Sequence, residues 1–202
     1  MRRFIITMLS SLALIVVVAC GSDDAVLSGF ERTPTPVVND YALPIADPSA
    51  DPFNLNAAQA SDLLVVYFGY TNCPDVCPTT LFDLRTAIDA LDEEDRDRVQ
   101  TAMITIDPNR DTNEILSGYV GSFLPDATAL RTEDDAELRR VADLFGADYG
   151  VTETEDGEIE VLHTGSLYAV NRSGELLVSW PFGVPATDVA KDLRILLDRE
   201  SV

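Results

Sequence analysis

Leu63-Leu64-Val65-Val66-Tyr67-Phe68-Gly69-Tyr70-Thr71-Asn72-Cys73-Pro74-Asp75-Val76-Cys77-Pro78 decides the reading of this 202-residue chain. Leu63 to Phe68 is an unbroken apolar run, the pattern of a strand covered on both faces. Thr79 to Leu91 follows with apolar residues at Leu81, Leu84, Ala87, Ile88 and Leu91, which is helical spacing. Cys73 and Cys77 therefore stand on the turn between a buried strand and the helix behind it. If helix begins at or near Cys73, both sulfurs lie on one face, about 6 Å apart at the backbone. That separation suits two thiolates on one metal ion, and it also lies within reach of a disulfide. A helix N-terminus stabilises thiolate, so this placement predicts reactive cysteines with depressed pKa values.

Working outward, strands and helices alternate. Val99 to Ile106 reads as a second buried strand ended by Asp107-Pro108, Thr112 to Phe123 as a helix, and Ala127–Leu130 as a short strand. Glu133 to Phe145 again has the helical period. Ile159–Leu162 and Ser166–Val170 read as short strands. Asn171-Arg172-Ser173-Gly174 reads as a turn that pairs the second of them with Glu175–Trp180 in a hairpin. Pro185 opens a closing helix through Leu197. Crossover units followed by a hairpin and a helix predict an α/β fold, a mixed central sheet flanked by helices on both faces. This is the thioredoxin-like layout.

The first 19 residues read as a signal peptide. Arg2 and Arg3 precede an apolar stretch, Phe4 to Val18, that is short for a membrane span. It ends in Val17-Val18-Ala19-Cys20, which resembles a bacterial lipobox, so Cys20 is expected to carry lipid and hold an exported protein at the membrane. Residues 20–50 read as a tether, because Pro34, Pro36, Pro44 and Pro48 forbid long regular elements. Residues 51–202 are enough for one domain with its own core.

Three cysteines less Cys20 leave only Cys73 and Cys77 in the fold. In an oxidising compartment such a pair is a disulfide, a metal site or a redox couple. The loop between them is too small for a structural disulfide to add much stability. The chain carries 14 basic and 35 acidic residues, net −21, and Lys191 is its one lysine. Without Arg2 and Arg3 the balance is 12 to 35, or −23. Nucleic acid is thereby excluded as a partner. Acidic runs such as Asp92 to Asp95 and Glu153 to Glu160 read as solvated faces and loops.

His163, the single histidine, sits in Val161-Leu162-His163-Thr164. Taken alone it reads as a hydrogen-bonded strand residue. With two thiolates it completes a soft three-donor set that suits Cu(I), and imidazole also suits Cu(II). Zinc asks for a fourth ligand, which Asp75 or Asp107 could supply.

Phe68 to Pro78 resembles the signature of the Sco/SenC family of copper proteins. Thr105-Ile106-Asp107-Pro108-Asn109-Arg110-Asp111-Thr112 resembles that family's second motif, and Leu162-His163-Thr164 stands at the place of its ligand histidine. The similarity runs from about Phe53 to Leu197. It implies a thioredoxin-like fold and one copper held by Cys73, Cys77 and His163, with Asp75 and Asp107 as acidic neighbours. It also implies assistance in building the copper A site on subunit II of cytochrome c oxidase, with a copper donor and a thiol reductant as further partners. By the same alignment, His163 stands where thioredoxins place a proline facing their cysteines; the nearest later proline is Pro181. One departure stands out: many members have an acid just before the histidine, and here that residue is Leu162. Met103 is the only methionine after the signal, which excludes a methionine-rich site.

Three alternatives accompany the chaperone reading. A thiol–disulfide oxidoreductase acting on the cysteines of the copper A site would need both thiols and not His163. A peroxide-reducing enzyme would need an arginine at its cysteine. A purely structural lipoprotein would leave the cysteine turn without a use.

Overall fold

The computed structural model describes residues 26–38, 40–56 and 61–201. Cys20 and the signal-like stretch lie outside the described residues. Five strands form the central sheet in the order β5-β4-β3-β8-β9: Thr128–Leu130, Val99–Thr105, Leu63–Gly69, Leu167–Asn171 and Leu176–Trp180. β3, β4 and β5 are parallel, β8 runs antiparallel to β3, and β9, antiparallel to β8, again runs in the direction of the first three. The expected mixed sheet is therefore present.

β3 is buried along its whole length, which is why its sequence lacks polar alternation. Its alternate side chains divide the two layers. Tyr67 faces α1 (Val76–Asp89), which packs against α3 (Asn113–Phe123) and α5 (Ala186–Glu200). Phe68 faces α4 (Asp135–Phe145) and meets Phe145 and Tyr168 edge-on, with centroids 5.3 and 6.0 Å apart. The apolar stripe of α4, from Leu138 through Val141 and Ala142 to Phe145, is buried against this layer.

The helix after β4 begins later than the sequence suggests, because Thr112 caps it by accepting from the Ile115 amide. Asp134 does the same for α4 with the amides of Ala136 and Glu137. Besides the short strands of the N-terminal segment, two elements were not foreseen. Glu93–Asp97 (α2) turns part of an acidic run into one helical turn under an Asp92 cap. Tyr149–Glu153 (β6) pairs with β7 (Ile159–His163) in a separate two-stranded ribbon. The ribbon's exposed, charged strands carry little of the apolar alternation by which strands are recognised.

The tether expectation fails for the described part of residues 20–50. Leu27, Val38, Leu43 and Ala46 are buried in the core. Phe30 and Val37 bridge to Ser179 and Glu175 along β9, and Ile45 bridges to Leu130 on β5. Ala42–Leu43 (β1) pairs with Phe53–Asn54 (β2). Prolines prevent long elements here but leave enough amides for isolated bridges. The segment covers β9 first and β5 afterwards, so both edges of the sheet are capped by one passage of chain. Open edges invite unwanted pairing, which gives this coverage its value.

Candidate metal centre

Parallel β3 and β4 end side by side, and the chain leaving each builds one wall of the site. Helix α1 starts at Val76 rather than at Cys73. Cys73 thus lies on the loop before the helix, and Cys77 lies in its first turn. The Cys73 sulfur does the work of a cap, accepting the Cys77 amide at 3.2 Å. The exposed Asp75 makes no side-chain cap. Pro78 fits the first turn, where no amide partner is needed.

The ribbon brings the third donor across. His163 ends β7, opposite Tyr149, and its Nε2 lies 3.5 Å from the Cys77 sulfur. Its Nδ1 lies 3.3 Å from the Thr164 carbonyl oxygen. That contact assigns the proton to Nδ1 and leaves the Nε2 lone pair facing the sulfurs. Tyr67 and Tyr70 stand edge-on to the imidazole, with centroids 6.2 and 5.7 Å away. Burial lowers the His163 pKa and so favours the neutral, ligating form.

The donor atoms of Cys73, Cys77 and His163 all lie within 4.8 Å of one another. Three such donors at ordinary metal–sulfur and metal–nitrogen distances around one ion are about 3.5–4 Å apart. The set fits a trigonal soft ion with small side-chain shifts. No carboxylate joins the cluster among the described residues. Asp107 is instead buried and paired with Arg110, while Asp75 points to solvent. The fourth ligand that structural zinc would take from either is therefore missing.

Cys77 departs from the sequence expectation in its charge state. Burial first, and then its contact with Cys73, push the thiol up to about 12. Desolvation outweighs the helix N-terminus because the sulfur is fully covered by the core. Both cysteines are free thiols.

Two residues that sequence reasoning did not single out hold this geometry. Asp111 is fully buried and accepts from the Thr71 amide at 3.1 Å and from the hydroxyls of Thr71 and Thr105, each at 2.5 Å. It ties the cysteine loop to the end of β4. The Asp111→Asn variant is expected to fold and to bind Cu(I) roughly 10-fold more weakly, as loss of ligand-orienting partners typically does. Competition titration against a Cu(I) chelator checks this, and unchanged affinity would deny Asp111 that role. Gly69 is the second. A Cβ there would sit 2.5 Å from the Tyr67 ring, 3.0 Å from Met103 and 3.2 Å from the Cys77 sulfur. Gly69→Ala is expected to displace the thiol and cost about 1–3 kcal/mol of stability. Thermal unfolding of the metal-free protein measures the cost, and a variant unchanged in both stability and affinity would refute the clash.

Comparison with known proteins follows the same lines. A family model described as SCO1/SenC matches residues 51–198. An SCO2-like protein of Rickettsia typhi is 29% identical over 155 residues, covering 76% of this chain and 75% of that protein. Apo Sco1 of Thermus thermophilus matches with a TM-score of 0.69 and 28% identity, over 88% of this chain and 98% of that one. Copper-bound ScoI of Bradyrhizobium japonicum matches with a TM-score of 0.63 and 29% identity, over 76% of this chain and 95% of that one. With its cysteine turn, its histidine and its sheet order in that common frame, the chain belongs to the SCO1/SenC family.

Proposed function

We propose that this protein is a membrane-tethered copper metallochaperone, which binds one copper through Cys73, Cys77 and His163 and delivers it to the copper A site of cytochrome c oxidase. The observation that carries the reading is the convergence of two sulfurs and one neutral imidazole within 4.8 Å, with no acidic ligand among them. Soft, few-coordinate donors favour Cu(I), and the imidazole also accommodates Cu(II). Copper here is cargo. Cys73 is the more accessible thiol and Cys77 the buried one, so exchange begins at Cys73, where a partner's thiolate can approach. The protein is exported and held by lipid on Cys20, with a copper donor before it and a thiol reductant keeping both cysteines reduced. Formation of a Cys73–Cys77 disulfide would block loading, since each ligand must be a thiolate.

The oxidoreductase reading retains one argument, the pairing of an accessible with a buried thiol. In that reaction, a partner disulfide gains two electrons and two protons while Cys73 and Cys77 lose them to form their own disulfide. The metal reading is favoured by the imidazole, which faces both sulfurs and has no part in a dithiol–disulfide exchange. The peroxidase reading needs a free arginine, and Arg110, the cation beside Tyr70, is engaged by Asp107. Transfer from the loaded protein to a metal-free copper A domain separates the two main readings. Delivery requires Cys73, Cys77 and His163. A reductase loses activity in Cys73→Ser and Cys77→Ser and keeps it in His163→Ala.

A further inference from the structure

We propose that the metal-binding end of the sheet is the membrane-facing pole of the domain, so that its partner's receiving site lies close to the bilayer surface. This rests on lipid attachment at Cys20.

The position of the N-terminal segment carries the argument. Phe30 exchanges both backbone hydrogen bonds with Ser179, at 2.8 and 3.0 Å. Further on, the Pro36 carbonyl accepts from the Leu176 amide, and the Val38 amide donates to Gly174. Residues 30–38 therefore run antiparallel to β9, from its Trp180 end towards the turn at Gly174. Residues 26–29 lie at the Trp180 end. Trp180 is registered with Leu167 and Leu167 with Tyr67, two residues before Gly69. Phe182 and Val76 crowd Gly165 from two sides, which joins this corner to the first turn of α1. The chain thus enters the fold at the metal end.

That attachment is firm. Asp192 on α5, fully buried, accepts the Ser28 amide at 2.8 Å, the Gly29 amide at 2.9 Å and the Trp180 indole N–H at 2.8 Å. Leu27 is buried, and Gly29 lies so flat on Trp180 that a Cβ would come within 2.7 Å of the indole. Only six residue steps then separate Cys20 from Val26, a reach of about 20 Å at full extension. A domain of this size is roughly 40 Å across. A leash of this reach keeps the Trp180 end of the domain nearest the lipid, while the opposite pole, around Gly174 and Arg98, starts about 20 Å further along β9. Strands about 4.8 Å apart place β3 some 15 Å from the entering chain, so the copper site stays within about 35 Å of the bilayer. Four exposed apolar side chains, Val26, Phe30, Leu162 and Phe182, stand around this end. The net negative charge opposes flat adsorption on anionic lipid, which leaves the leash as the orienting element.

Trp180, the only tryptophan, reports on the proposal directly. The lipidated full chain is placed in vesicles containing dansyl-headgroup lipid, and energy transfer from Trp180 is measured. Strong transfer is expected. It should drop several-fold when 30 Gly/Ser residues are inserted between Ser22 and Asp23, and in a chain carrying Trp180→Phe and Val37→Trp, whose donor sits near the other pole. Should that double variant not fold, spin-labelled lipid and the native sequence serve instead, with amide signals of Gly165 and Phe182 broadened more than those of Gly174 and Arg98. Equal or reversed broadening or transfer in a membrane-bound chain overturns the orientation alone. A chain that never associates with membrane overturns the Cys20 reading and this inference together, and leaves copper binding by the domain untouched.

Discussion

His163→Ala is expected to weaken Cu(I) binding by more than 100-fold while leaving the fold intact. The size follows from what the imidazole does. Losing a residue that only orients a ligand already costs about 10–100-fold, and His163 supplies one of three donors. Its Nε2 sits 3.5 Å from the Cys77 sulfur, so no other side chain in the cluster can take its place. The fold should survive because the histidine lies at the end of the ribbon, outside the main sheet. Anaerobic competition with a Cu(I) chelator gives the affinity, and far-ultraviolet circular dichroism checks the fold. Retention of wild-type affinity would remove His163 from the ligand set and move the protein to the thiol-reductase class.

Asp192→Ala carries the largest expected loss of stability, about 3 kcal/mol. The substitution leaves the Ser28 and Gly29 amides and the Trp180 indole N–H without their acceptor. A bond to a charged group contributes about 1.5–3 kcal/mol, and each stranded buried donor adds to the loss. The two amides regain water if residues 26–29 peel away, which caps the total. For a chain of this size the melting temperature should fall by about 6–12 °C. Hydrogen exchange should quicken first at residues 26–38, and those amides identify the clasp. A variant with unchanged melting temperature would mean that the N-terminal segment contributes no stability to the domain.

The sequence pattern made the central sheet legible because β3 and β4 are buried on both faces and because α1, α4 and α5 carry clear apolar stripes. Cys73, Cys77 and His163 could be named for the same kind of reason: each is scarce in the chain and chemically specific. What stayed hidden depends on tertiary contact. Asp111 reads as one acid among 35 until burial brings Thr71 and Thr105 to it. The coverage of both sheet edges by residues 30–46 depends on single bridges, which leave no periodic trace. The start of α1 at Val76 was not fixed by the sequence, because the Cys73 sulfur, an uncommon cap, accepts the amide that a Ser or Asp side chain usually takes. The raised pKa of Cys77 followed from the same blind spot, since helix position is readable in sequence and depth of burial is not.

Leu162 marks the point at which this chain departs from the expected family pattern. It is 79% exposed beside His163, where an acid would add charge. The imidazole is oriented here by the Thr164 carbonyl through the backbone, so no acidic side chain is needed to fix its tautomer.

X-ray absorption at the copper edge of the Cu(I)-loaded protein tests the central claim most directly. The expected spectrum is that of a three-coordinate ion with two sulfur scatterers and one nitrogen. A shell of sulfur alone, or one unchanged by His163→Ala, would contradict the Cys73–Cys77–His163 site.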